Sequence, residues 1–153
     1  MTKTDQLNIL AENTNALNQA IKWLERSFDQ CQHLDPYALS DDETDRFETL
    51  TSRFARVTDL LFSKVFRSIA YLEKGKALSW LDLLIFMEKQ EVIDDADKAR
   101  LIKELRNDIT HEYIMTNLPD LFKEVVAQSP LLLRYCSNAL AKTEKLKKKL
   151  KNL

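Results

Sequence analysis

A chain of 153 residues suits one domain large enough to bury a core, and a formal net charge of −1 excludes a globally basic nucleic-acid binder while leaving room for a local basic patch. One glycine and three prolines leave few of the turns that a sheet protein needs. The expectation is therefore a single all-α domain over 1–153, an up-and-down bundle of four to six helices. No apolar run approaches the roughly 18 residues of a membrane span, and the polar start MTKTDQLN has no secretory pattern. Cys31 and Cys136 form no CxxC pair, which points to reduced thiols in the cytoplasm.

The first predicted helix runs from about Thr4 to Cys31. Leu7, Leu10, Thr14, Leu17, Ile21, Leu24, Phe28 and Cys31 follow three-four spacing without a slip. Such a stripe is either an internal seam of the bundle or a seam across a dimer. HLDPYALS (33–40) then reads as a connector, with Ser40 and Glu43 as a capping box that opens a second helix. That helix runs to about Glu73 and stops near Gly75, where a left-handed cap costs least. Its broad apolar face (Leu50, Phe54, Val57, Leu61, Val65 and Leu72, with Phe62, Phe66 and Ile69 beside them) marks a central helix. Stepped at about 100° per residue, Arg53, Arg56, Lys64, Arg67 and Lys74 fall on the opposite side, within roughly a quarter-turn. The plain reading of this basic stripe is a solvated face, and the alternative is a phosphate-contacting surface with Arg53, Arg56, Lys64 and Arg67 touching RNA.

Ser79 caps a short apolar helix, WLDLLIFMEKQ, followed by the turn EVIDD. A further helix is predicted from about Asp95 to Met115, broken by NLPD. A helical region over Leu118–Ala127 meets Ser129-Pro130, where a break is expected before a last helix. The basic tail KTEKLKKKLKNL (residues 141–153 form this basic end) is expected to fray.

The helix carrying LRNDITHEY (105–113) holds the chemistry. With Arg106 at 0° on a wheel, Ile102, Leu105 and Ile109 cluster near about 300°, the core direction. Arg106 and Tyr113 sit at the edge of that face, whereas Asn107 (about 100°) and His111 (about 140°) point away from it. An idle surface histidine is the bland reading. The functional one is phosphodiester chemistry: imidazole moves protons near neutrality, and guanidinium holds a phosphate by two parallel hydrogen bonds. Arg106 and His111 diverge too far for one helix to close on one phosphate, but two copies across a twofold axis would converge. Other chemistries fail on residue type. His111-Glu112 begins like HExxH, yet Met115 stands where the second histidine belongs, and His33 lies in a connector, so no metal site is expected. A lone glycine permits neither a P-loop nor a dinucleotide fingerprint, so no cofactor is expected either.

RNDITHEY resembles the Arg-x4-His-x-Tyr motif of the HEPN (higher eukaryotes and prokaryotes nucleotide-binding) superfamily, specifically its HepT-like toxins. The likeness extends over roughly residues 45–140, through FETLTSRFARVTDLLFSKVF, VIDD…LIKELRN and LPDLFKEV. The resemblance implies an all-α homodimer with two motifs in one cleft and metal-independent RNA cleavage through attack of the RNA's own 2′-hydroxyl. Carried over by position, Arg106 would stabilise the scissile phosphate, His111 would be the acid/base, and Asn107 would support the site. The family's partner is a minimal nucleotidyltransferase antitoxin, which would silence the toxin by transferring AMP to Tyr113. The RNA, tRNA or mRNA, is not specified by the sequence. Asp108 and Glu112 depart from what RNA binding favours. Two other readings stand beside the toxin: a non-catalytic subunit bound to a nucleotidyltransferase, and a plain helical dimerisation module.

Overall fold

The computed structural model describes residues 1–111 and 117–152, and these form helices joined by short turns, with no strand among them. Helix α1 (Lys3–Cys31) opens on a capping box, in which the Thr2 hydroxyl accepts from the Asp5 N–H and the Asp5 carboxylate accepts from the Thr2 N–H. Leu10, Leu17, Leu24 and Cys31 are fully buried, and Leu7, Ile21 and Phe28 pack against them. The α1 stripe is thus an internal seam of this chain's own bundle. Thr14 sits within it because its hydroxyl donates to the Leu10 carbonyl at 2.7 Å, one turn back.

After the connector, Ser40 and Glu43 make the expected capping box, and α2 (Asp41–Asp59) begins. The predicted uninterrupted helix to Glu73 is corrected by a π-helical turn (Leu60–Val65) before the chain resumes as α3 (Phe66–Lys74). The wider turn lets adjacent pairs, Leu61 with Phe62 and Val65 with Phe66, all face the core. The Phe62 ring packs edge-on against both Phe66 and Trp80. Gly75 closes α3 in the left-handed conformation (φ 73°), its N–H donating to the Tyr71 carbonyl at 2.9 Å.

Helix α4 (Trp80–Lys89) starts at Ser79, whose hydroxyl accepts from the Asp82 N–H. The turn after it is anchored at both ends. Val92 and Ile93 are buried, and Asp94 accepts from the Tyr135 hydroxyl, from Arg134 at 3.0 Å and from Lys98 at 3.3 Å. The Asp95 carboxylate then accepts from the Asp97 N–H at 2.7 Å at the start of α5 (Ala96–His111).

Helix α6 (Leu118–Lys151) overturns two expectations. It passes through Pro130 without ending, and its basic tail is helical to Lys151 rather than frayed. Proline inside a helix costs roughly 3 kcal/mol. Here the same face buries Leu121, Phe122 and Val125 before Pro130, and Leu132, Tyr135, Cys136 and Ala139 after it, so packing outweighs the local penalty. Leu146 reaches the core from within the tail. Phe122 stacks on Phe47 at one end of α6, and Lys142 reaches Glu73 at 2.7 Å near the other, so α6 runs parallel to α2–α3. α1 runs antiparallel to α2–α3, with Lys3 against Leu72 and Trp23 against Arg53. The two thiols are buried and unpaired with each other; burial pushes Cys31 up to about 11 and Cys136 up as well. No helix among the described residues is long and apolar enough to cross a membrane.

Candidate functional site

The α5 wheel follows from its packing. Ala99, Ile102 and Leu105 are buried and Ile109 is partly so, which turns Arg106 toward α2 and leaves Asn107, Asp108 and His111 exposed. Residues 112–116 lie outside the described residues, and with them Tyr113, Glu112, Met115 and the predicted end of the helix.

Arg106 is held from within its own chain. Its Nε donates to Asp59 Oδ1 at 2.8 Å and its Nη2 to Asp59 Oδ2 at 2.9 Å, a two-point grip across the last turn of α2. Its Nη1 donates to the Thr110 hydroxyl at 3.0 Å. Three of the guanidinium's five N–H groups are therefore taken, which leaves one on each terminal nitrogen. The Asp59 hydrogen bonds raise the Arg106 pKa above its ordinary value, so the charge is permanent. The Arg106 side chain is 28 % exposed and that of Asp59 40 %, a setting in which an ion pair stabilises a fold by about 1 kcal/mol or less. Its larger effect is to fix the direction of the guanidinium plane. Sequence reasoning missed Asp59. It is 47 residues from Arg106, and only the packing of α5 on α2 brings the two together.

His111 is exposed at the far end of α5, the last residue described before 117. The outward face leading to it carries Asp97, Glu104 and Asp108, all exposed. Arg100 stands among them, 3.3 Å from Asp97 and 3.9 Å from Glu104, so the face carries three carboxylates and one guanidinium. Within the chain, Arg106 and His111 share a helix, and the hydrogen bonds of Arg106 go to Asp59 and Thr110.

Of the predicted basic stripe of the second helix, Arg53, Arg56, Lys64 and Arg67 line the α1 side, and Lys74 turns to α4. Upstream of the π turn, Arg53 leans toward α1, its Nη1 donating to the Trp23 carbonyl at 3.1 Å and to the Ser27 hydroxyl at 2.7 Å. Downstream, Arg67 donates to the Leu78 carbonyl at 3.0 Å, and Lys74 sits 5.2 Å from the centre of the Phe86 ring on α4. An added residue in one turn rotates everything after it, so a wheel stepped at a constant angle fails across 60–65. Arg56 and Lys64 remain exposed. Trp23, also missed, stands 53 % exposed with the Arg53 guanidinium 5.0 Å and the Arg26 guanidinium 6.0 Å from its ring centre. Its signal in the sequence was a large aromatic off the apolar seam.

Among the described residues, no group of three or more His, Cys, Asp or Glu side chains is placed to hold a metal ion. Compared with known proteins, the chain matches no family model, no curated protein and no solved structure.

Proposed function

We propose that the protein is a ribonuclease of the HEPN type, a HepT-like toxin that acts as a homodimer and is paired with a minimal nucleotidyltransferase antitoxin. The observation that carries this reading is the pairing on α5 of an exposed imidazole, His111, with an arginine whose plane is fixed by a carboxylate. In the proposed reaction, one His111 takes the proton from the 2′-hydroxyl as that oxygen attacks the adjacent phosphorus. The P–O5′ bond breaks, and the His111 of the second copy returns a proton to the departing 5′-oxygen. The products are a 2′,3′-cyclic phosphate and a 5′-hydroxyl. Arg106 offers its two remaining N–H groups to the phosphoryl oxygens as charge builds on them. Asn107 supports the site from the adjacent position. AMP placed on Tyr113 would add negative charge and bulk beside a site that must accept phosphate.

The test is cleavage of a labelled RNA by purified protein with chelator present, reading the cyclic-phosphate end. Wild type should cut and His111→Ala should not; equal rates would end the proposal. Recovery of activity only with added divalent ion would reject the metal-independent route. Mass spectrometry after co-expression with the transferase should place AMP on Tyr113, and AMP on any other residue would reject that assignment.

One feature favours a second reading, a non-catalytic subunit of a nucleotidyltransferase. Asp59 already occupies the two-pronged Nε–Nη2 face of Arg106, which a phosphate would otherwise take. In that case the wild-type protein binds the transferase and cuts no RNA.

A further inference from the structure

The outward seam between α1 and α2–α3 is a groove lined by basic and neutral residues. From Gln6 to Gln30 it follows α1 for about 36 Å at 1.5 Å per residue. Shallow hollows mark its course. One, of about 500 Å³, lies between Ala16, Gln19 and Trp23 on α1 and Ser52, Arg53 and Arg56 on α2. Another, of about 390 Å³, lies beside Lys64, Arg67 and Tyr71, with Ile9 and Asn13 opposite. Arg26 and Arg46 extend the positive lining past Trp23, where Asp45 and Glu48 are the acids that line this end.

Three properties coincide in this groove. On a chain of net charge −1, cations line it from end to end. Its floor is small and neutral, built of Ala16, Ala20, Asn13, Ser63 and Ser68, with the Asn13 amide donating to the Ser68 hydroxyl at 3.0 Å. Its exposed large apolar groups fall at two places, Met1, Ile9 and Tyr71 together in one hollow and Trp23 alone in another. Massed apolar groups would suit the face of a partner helix. Two rings set apart, Tyr71 and Trp23, with Arg67, Lys64, Arg56 and Arg53 along the seam between them, suit a strand that alternates flat bases with phosphates. The two helices touch across the seam, through Asn13 with Ser68 at 3.0 Å and Arg53 with Ser27 at 2.7 Å, and the hollows above these contacts are shallow.

We propose that this groove binds single-stranded nucleic acid without sequence preference. Arg46, Arg56, Lys64 and Arg67 meet phosphates. A base stacks on the exposed part of Trp23 and displaces Arg26, the more distant of its two guanidinium neighbours, which then turns to a phosphate. Arg53 stays in place, because its hydrogen bonds to the Trp23 carbonyl and Ser27 tie the ring to α2. The inference rests on the reading of the protein as one that acts on RNA, and it deepens that reading by naming where the strand lies.

The experiment measures anisotropy of a labelled twelve-nucleotide oligouridine with the His111→Ala protein, so binding is read without cleavage. Affinity should fall with salt at a log–log slope of roughly −3, the value for four to five phosphate contacts on a single strand. Arg56→Gln with Lys64→Gln should weaken binding about ten-fold at ~0.1 M salt and reduce the slope by roughly 1.4. Trp23→Leu should weaken binding about five-fold or more with the slope unchanged. Both changes are at exposed positions, and an unchanged melting temperature checks that the fold is kept. Wild-type affinity in the double variant, equal affinity for a duplex of the same length, or capture of an acidic helical peptide in place of the oligonucleotide would each overturn the proposal. No cleavage by the wild-type protein with binding intact rejects the ribonuclease reading alone, whereas wild-type cleavage with groove variants that bind normally rejects the groove alone.

Discussion

On its α5 flank, α2 presents Asp59 to Arg106, and two charge-assisted hydrogen bonds cancel the guanidinium's charge at short range. On its α1 flank, the same helix gives Arg53 only neutral acceptors, a backbone carbonyl and a hydroxyl, together with an indole ring. Both arginines are held in place, but the first works beside a neutralising carboxylate with two N–H groups left to offer, whereas the second keeps its full charge for attraction at longer range. The difference teaches that orientation and electrostatic attraction are divided between the two flanks. A motif arginine gripped by a carboxylate is suited to directional contact with one phosphate. A lining of arginines on neutral acceptors is suited to long-range attraction of many.

The strongest way to break this division is His111→Ala, because loss of a proton-transfer group costs about 10²–10⁴-fold in rate. RNA cleavage should fall by that factor while oligonucleotide affinity at the groove stays as in wild type. A parallel fall in affinity would show that the two flanks are one site. Arg106→Lys comes next. A point charge keeps an attraction to Asp59 but lacks the planar fork, so cleavage should drop roughly 10²-fold with a melting temperature within a few degrees of wild type. Full activity with lysine would remove the directional role assigned to the fork.

A second carboxylate serves as a control. Asp94 binds Arg134 and the buried Tyr135 hydroxyl far from either flank, and the Tyr135 hydrogen bond chiefly holds its carboxyl below the usual range. A depressed folded pKa contributes stability above the ordinary carboxylate value and loses it as pH falls through 4 and below. Thermal melts should therefore weaken in that window, and Tyr135→Phe should remove part of the dependence. That substitution should also lower stability at neutral pH by about 1 kcal/mol, or roughly 2–4 °C in a domain of this size. RNA cleavage and binding should be untouched, which sets the scale of a purely structural carboxylate.

Local signals carried far in this chain. The seam of α1, the box at Ser40 and Glu43, the stop at Gly75 and the outward placement of His111 are all written within a few residues, and the structure has each of them. What was not legible depends on partners distant in sequence. The continuity of α6 through Pro130 rests on burial of both halves against other helices. The π turn depends on the demand for adjacent aromatic and aliphatic pairs in one core. Asp59 and Arg106 meet only after α5 has docked. The basic stripe illustrates the limit most directly: its residues lie off the core as read, and four of them keep to the α1 seam, but Lys74, read as part of the same stripe, turns to Phe86 on α4.

Cys31 and Cys136 give the bundle a built-in reporter. Each sulfur is shut away from solvent and held as the unreactive thiol, Cys31 at the end of α1 and Cys136 in the middle of α6. A maleimide can therefore reach them only when helices part, so the two labelling rates measure how often the end and the middle of the molecule breathe open.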